Sequence, residues 1–192
     1  MKDIPRYAFT LTLVALIAAG SLSWVNSITK PIILEQQSNN LKIGLYQVLP
    51  GTENGVIEPV KEGKEILYYK GFSNKEKTTM IGYAFLVFSQ GYSSTIQTLV
   101  GIDTTGIIQK INILFQQETP GLGTRCQEIL SGDTEPWWQA QFTDKNALSL
   151  ALDMDGGEIQ TITGATITSR VITDAIVESA KSVFQRIQSE NK

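Results

Sequence analysis

Two short motifs hold the residues whose types and spacing point to chemistry. The first, Glu118-Thr119-Pro120-Gly121-Leu122-Gly123, combines a carboxylate and a hydroxyl with one proline and two glycines. Proline fixes φ, and the glycines permit positive φ, so another group can approach this backbone closely. As a bare pattern the motif also fits an ordinary turn.

The second motif, Thr163-Gly164-Ala165-Thr166-Ile167-Thr168-Ser169, runs into an amphipathic segment. Thr168 or Ser169 is predicted to cap the start of a helix. Gly164 and Ala165 leave the backbone uncovered, so free N–H groups and the positive end of the helix dipole would face the surroundings of Thr166. That is a favourable place for a phosphate. The alternative is a capped helix start that happens to use small residues.

The residue inventory excludes most other chemistry. The 192-residue chain has no histidine, and Cys126 is its single cysteine. Zinc sites, haem attachment through paired cysteines, iron–sulfur clusters and Ser/His or Cys/His nucleophile pairs all need residues that are absent. We therefore expect no catalytic residue and no metal site, and we expect Cys126 to be a small, half-buried apolar residue. Any redox work must fall to a bound cofactor.

Charge also restricts the partners. A formal net charge of −3, with no cluster of Lys and Arg, argues against binding to nucleic acid, since that requires cations to neutralise phosphates.

A membrane anchor is predicted at the N-terminus. Residues 7–25 carry no charge and are about as many as a helix needs to cross a bilayer. Lys2 and Arg6 precede this run, and the next charge is Lys30, followed by the helix breaker Pro31. The positive-inside bias then places the N-terminus in the cytoplasm. The alternative is a cleaved signal peptide, for which the small residues 18–21 would suit a peptidase.

The remaining chain alternates helix and strand signals. Helical spacing over 30–49 predicts a stalk helix with one apolar face: Ile33, Leu34, Leu41, Leu45, Val48 and Leu49. A turn-rich loop at 50–55 ends it. Strands are predicted at 66–69, 81–88, 95–103 and 107–115, with a further one at 148–152 and a hairpin turn at 103–106. An amphipathic helix is predicted over 169–187. The pattern indicates an α+β fold in which an N-terminal transmembrane helix precedes a twisted, mainly antiparallel sheet packed with helices.

Several segments in a fixed order resemble the FMN-binding domain family. They are Gly91-Tyr92, Val100 to Asp103 with Gly106, the 118–123 motif, Trp137-Trp138 with Phe142, Asp155-Gly156-Gly157 and the 163–169 motif. The family includes the G subunit of the Rnf/Rsx electron-transport complex and the C subunit of the sodium-pumping NADH:quinone oxidoreductase. The likeness covers nearly the whole chain. The length of the chain favours the Rnf-type subunit over the subunit of the sodium-pumping enzyme. The family usually has Asp where this chain has Gln160, with Glu158 nearby.

The resemblance implies a cofactor and its site. In the family, the last Thr of the motif carries FMN through a phosphoester bond that a flavin transferase makes from FAD. Here that residue is Thr166. The resemblance also implies that both motifs form the flavin pocket, with Thr119 and Leu122 as ring contacts. The implied cofactor-binding set is Thr163, Gly164, Ala165, Thr166, Thr168, Ser169, Glu118, Thr119, Gly121, Leu122 and Gly123.

The resemblance further implies an electron-relay subunit of an ion-translocating ferredoxin:NAD⁺ oxidoreductase, without a substrate site of its own. Its partners would be other membrane and peripheral subunits. It would lie in a bacterial or archaeal cell membrane as a cytoplasmic tip and anchor (1–28), a stalk helix (29–50) and an extracytoplasmic FMN-binding domain (51–192). The alternatives are the corresponding subunit of the sodium-pumping quinone reductase and a flavin-free, membrane-tethered scaffold. For Trp137 and Trp138 we expect core packing, with flavin or partner contact as the alternative.

Overall fold

The computed structural model describes residues 4–190. Residues up to Leu41 form one compact unit, and residues from Lys42 onward form another. The elements in chain order are α1 (Ile4–Val48), β1 (Val56–Glu62), β2 (Glu65–Phe72), β3 (Met80–Gln90), β4 (Thr95–Asp103), β5 (Ile108–Phe115), α2 (Trp137–Ala140) and α3 (Thr166–Glu190). Short 3-10 helices lie at Gly123–Gln127 and Asp153–Asp155.

Helix α1 has the length and composition of a membrane span. At 45 residues it extends about 67 Å, twice the hydrocarbon thickness of a bilayer. Within the described residues it is the one helix long and apolar enough to cross a membrane. The hydroxyls of Thr10, Ser21 and Ser27 donate to backbone carbonyls three or four residues earlier, so they need no water. Lys2, which helped to predict the orientation, lies outside the described residues.

Pro31 does not end α1, although the sequence suggested a break there. A proline removes one intrahelical hydrogen bond, and the helix continues on both sides of it. On the predicted apolar face of the stalk, Ile33 and Leu34 are exposed, whereas Leu45, Val48 and Leu49 are buried.

The sheet is a five-stranded antiparallel meander in the order β1-β2-β3-β4-β5. Residues along each strand alternate between its two faces, because successive side chains of a strand point to opposite sides of the sheet. On β4, Ile96, Val100 and Ile102 belong to the main core. Gly101 faces the other way, and a Cβ there would lie 1.9 Å from the Val48 carbonyl oxygen. The C-terminal end of α1 therefore packs directly on this second face.

Helix α3 covers the main-core face of the sheet. Its buried stripe contains Ile172, Ile176, Ala180, Val183 and Ile187. The helical spacing predicted four of these five, with Ser179 in place of Ala180, and Ser179 is only partly buried. The helix begins at Thr166, three residues before the predicted start. The prediction of Thr168 or Ser169 as the N-cap is therefore wrong, because both lie in the first helical turn, and Ala165 accepts the first helical hydrogen bond from Ser169.

The predicted fold class is confirmed, with two differences in its strands. Strand β1 was missed, since Pro59 and three charged side chains interrupt its apolar pattern. The strand predicted at 148–152 is absent. Asn146 bonds the backbone N–H of Leu148 and Ser149 and turns the chain, and of this segment only Leu152 forms a bridge, to Ile159.

The two tryptophans behave differently. Trp138 is fully buried, donates its indole N–H to the Gln160 carbonyl at 2.8 Å and contacts Phe142 edge to face. The Trp137 ring lies beside the Arg125 guanidinium, and its indole N–H donates to Glu128. Trp138 therefore lies in the core and Trp137 packs against it at the edge, as predicted, and neither ring lines the pocket described below.

Candidate functional site

One pocket brings the two motifs together. Its volume is about 590 Å³, within the roughly 300–1,000 Å³ typical of small-molecule sites. Three segments supply its walls: the turn after β3, the loop after β5 and the start of α3. The lining residues are Tyr92, Glu118, Thr119, Leu122, Gly123, Gly164, Ala165, Thr166, Ile167 and Thr168.

Glu118 connects all three segments. Its side chain is only 5% exposed, and its carboxylate accepts five hydrogen bonds. Three come from the backbone N–H groups of residues 92–94 and one from the Ser94 hydroxyl, at 3.0–3.3 Å. The fifth comes from the Thr168 hydroxyl, at 2.7 Å. The carboxylate therefore fixes the turn after β3 and the first turn of α3 against the loop that carries it.

These donors decide the protonation state of Glu118. Burial disfavours the charged form, but the hydrogen bonds from Thr168 and from the backbone of residues 92–94 outweigh it and lower the carboxyl pKa. The neighbouring thiol behaves oppositely. Burial, together with the negative charge of Glu118, raises the pKa of Cys126 to about 12. Cys126 is fully buried rather than half-buried, and its thiol stays protonated at neutral pH.

Two glycines make room for this carboxylate. A Cβ at Gly91 would lie 2.5 Å from Glu118 Oε1. A Cβ at Gly123 would lie 2.6 Å from Glu118 Cβ and 2.9 Å from Thr168 Oγ1. Both positions therefore require glycine for close approach. Gly121 is different, because a Cβ there would meet nothing, and its glycine is required by a φ of +74°.

The threonine hydroxyls near the helix start have separate environments. Thr166 is half-buried in the pocket wall, and its hydroxyl makes no hydrogen bond to any residue between 4 and 190. Thr168 is 1% exposed and its hydroxyl is engaged by Glu118. Thr163 is exposed and does not line the pocket. Thr166 is therefore the residue of the three that offers an unengaged hydroxyl to the pocket.

The backbone at the same place has free donors. Within the described part of the chain, the N–H groups of Thr166, Ile167 and Thr168 have no hydrogen-bond acceptor. They are the first N–H groups of α3 and carry the positive end of its dipole. A phosphate beside Thr166 would satisfy them, so the pocket suits a phosphorylated ligand.

Most of the predicted site residues meet here, and three do not. Thr163, Gly121 and Ser169 lie outside the lining. The hydroxyl of Ser169 instead accepts from the Ile162 N–H and donates to the Ala165 carbonyl, which fixes how the chain enters α3. Gln160 is exposed and also lies outside the lining.

Tyr92 and Ile167 also line the pocket, and neither was predicted from the sequence as a site residue. They are 72% and 52% exposed and, with Leu122, form an apolar rim. Tyr92 could have been predicted, since Gly91-Tyr92 was part of the family resemblance. The amide groups of Ser93 and Ser94 left no sequence signal, because any residue supplies a backbone N–H.

Comparisons with known proteins identify the family of this chain. The FMN-binding domain family model matches residues 91–181, and the RnfG N-terminal region model matches residues 1–48. The G subunit of an ion-translocating oxidoreductase complex from Pasteurella multocida is 31% identical, with 100% of this chain and 98% of the relative aligned. The G subunit of the Na⁺-translocating ferredoxin:NAD⁺ oxidoreductase complex of Acetobacterium woodii is 29% identical, over 97% and 94% of the two chains.

A solved structure supports the fold. The C subunit of a Na⁺-translocating NADH-quinone reductase from Parabacteroides distasonis superposes with a TM-score of 0.53 at 18% identity, covering 77% of this chain and 91% of its own. The predicted resemblance is thereby confirmed. This chain belongs to the family of G subunits of ion-translocating oxidoreductase complexes, and the FMN-binding domain model matches it over residues 91–181.

Proposed function

We propose that this chain is the electron-relay subunit of a membrane-bound, ion-translocating ferredoxin:NAD⁺ oxidoreductase and carries FMN in phosphoester linkage on Thr166. The named relatives and the FMN-binding domain support a flavoprotein of such a complex. The match over residues 1–48 to an RnfG region favours this complex over the sodium-pumping quinone reductase.

The pocket fits a flavin phosphate. Three free N–H groups at the start of α3 provide an anion site, and Gly164 and Thr166 line the pocket beside them. The apolar rim of Tyr92, Leu122 and Ile167 suits the faces of an aromatic ring. When bound, FMN supplies one- and two-electron transfer without needing a protein acid or base, which matches the absence of histidine.

The free, pocket-facing hydroxyl of Thr166 is the observation that carries the assignment of the linkage. In attachment, Thr166 Oγ would bond to the FMN-side phosphorus of FAD while the phosphoanhydride bond breaks and AMP leaves. The hydroxyl proton would pass to the flavin transferase or to water. Thr168 is a poorer acceptor because its hydroxyl is buried and donates to Glu118.

The remaining assignments follow from α1 and from the relatives. Helix α1 would anchor the chain in a bacterial or archaeal cell membrane, with residues 1–28 as tip and anchor and 29–50 as a stalk. The FMN-binding domain, 51–192, would lie outside the cytoplasm, where covalent attachment prevents loss of the cofactor. Other subunits of the complex would supply and accept its electrons, and the chain would have no substrate site of its own.

Threonine variants test the linkage. The full chain is co-expressed with a flavin transferase, and covalent flavin is read as fluorescence on a denaturing gel and as added intact mass. We expect Thr166→Val, which keeps the β-branched shape, to carry no covalent flavin. Thr163→Val and Thr168→Val are matched controls that should still be labelled. If a control variant lost its covalent flavin while Thr166→Val kept it, the acceptor would be the threonine changed in that control and not Thr166. A flavin-free wild type would favour the scaffold alternative.

A further inference from the structure

The wall of the pocket contains a single fixed charge. Among the described lining residues, Glu118 is the one side chain that is charged at neutral pH, and no Lys or Arg joins it there. The nearest cationic side chains along the chain are engaged elsewhere, Arg125 with Glu128 and Arg170 with Asp155. The negative charge of Glu118 is therefore not neutralised by a cation at the pocket.

The structure maintains this charge. Five donors stabilise the carboxylate, and glycines at 91 and 123 allow the backbone to close around it. The backbone N–H groups of residues 92–94 all point at Glu118 oxygens, and an ionised carboxylate accepts from all of them without having to donate. An amide or a hydroxyl at this position would bring a donor of its own against these N–H groups, so the site favours the charged side chain.

We propose that Glu118 lowers the reduction potential of the flavin by holding a fixed, buried negative charge at the wall of the pocket. The proposal rests on the proposed function, since it requires a flavin in this site. Reduction transfers two electrons from a donor to the flavin, and protons from water neutralise only part of the added charge at neutral pH. A nearby carboxylate opposes that addition, and it does so more strongly where protein replaces water.

The test is a potentiometric titration of the purified, flavin-loaded full chain, with dithionite as the reductant and a reference dye. Glu118→Gln removes the charge with little change in size. We expect the equilibrium to shift at least tenfold towards the reduced flavin, which is about 30 mV more positive for a two-electron couple. Glu118 remains ionised across the neutral range, whereas the reduced flavin gains a proton and loses its negative charge as the pH falls, so the difference in potential should be larger at about pH 8 than at about pH 6.

Two controls separate charge from structure. Glu65→Gln removes a carboxylate that does not line the flavin pocket and should leave the potential unchanged. Thr168→Val removes one donor and loosens the packing of the pocket wall but keeps the Glu118 charge, so any rise in its potential measures lost packing and should be smaller than the rise in Glu118→Gln. An unchanged potential in Glu118→Gln overturns the proposal, and so does an equal rise in Thr168→Val.

A further variant applies if Glu118→Gln carries too little flavin to titrate. Thr119→Lys places a cation beside Glu118 on the same pocket wall and should raise the potential, while no rise would count against the proposal. The proposed function fails separately, because a wild type without flavin gives no titration at all. If the wild type carries flavin but changing the charge at Glu118 or Thr119 leaves the potential unchanged, only the inference about Glu118 is refuted.

Discussion

The Thr168 hydroxyl donates a 2.7 Å hydrogen bond to the Glu118 carboxylate, and both side chains are buried. The two residues are 50 positions apart, one in each motif. This bond joins the loop after β5 to the first turn of α3, and it lies two residues from Thr166. It also engages the hydroxyl that would otherwise compete with Thr166 as a neighbouring nucleophile.

Removing this bond should destabilise the protein. In Thr168→Val the shape is retained but the donor is lost, and hydrogen bonds to charged groups are worth about 1.5–3 kcal/mol. We expect a loss of that size in the free energy of unfolding, measured by urea titration of the detergent-solubilised chain. Thr163→Val, at an exposed site, is the control and should change stability by less than about 0.5 kcal/mol. Equal losses in both variants would show that the bond contributes nothing specific.

The lowered pKa of Glu118 predicts how this stability depends on pH. A carboxyl whose pKa is lower in the folded state than in the unfolded state stabilises the fold above the unfolded pKa. That contribution disappears as pH falls through the folded value. The window therefore lies below the ordinary Glu value of 4.5. Unfolding free energies of the wild type and Glu118→Gln should differ by a constant amount near neutrality and converge as the pH falls below that value. If the difference in unfolding free energy between the two proteins persisted in acid, it would indicate a packing defect in Glu118→Gln instead.

The sequence predicted the position of the site better than its internal contacts. Strands β2 to β5 and the stripe of α3 follow from alternation and helical spacing, which local patterns encode directly. The Glu118 hydrogen bonds could not be read in this way, because three of the five donors are backbone N–H groups brought there by the β3–β4 turn. The capping prediction failed because α3 begins at Thr166, which places Thr168 and Ser169 in its first turn rather than at its N-cap.

The orientation proposed for α1 has its own test. Lys2 and Arg6 both precede the charge-free run, and the next charge after it is Lys30, so the positive-inside bias places the N-terminus in the cytoplasm. A reporter that is active only outside the cytoplasm, fused to the C-terminus, should be active. The same reporter fused before residue 4 should be silent. The reverse pattern would place the FMN-binding domain in the cytoplasm and remove the argument for covalent retention of the cofactor.

The glycines of the first motif should respond differently to substitution. In Gly123→Ala the new methyl group would lie 2.6 Å from Glu118 Cβ and 2.9 Å from Thr168 Oγ1, in the wall of the pocket. We expect lower flavin loading and a shifted flavin absorption spectrum, since the link between the two motifs must move.

Gly121→Ala is the matched comparison, because its methyl group would meet open space and the cost is backbone strain from a φ of +74°. We expect a loss of about 1–2 kcal/mol in unfolding free energy, with the flavin spectrum and loading of the wild type. Both quantities are read on the same samples, by absorption spectroscopy and urea titration. Should Gly121→Ala alter the spectrum while Gly123→Ala does not, the backbone that approaches the flavin would be at Gly121, and the pocket wall assigned to Gly123 and Glu118 would be misplaced.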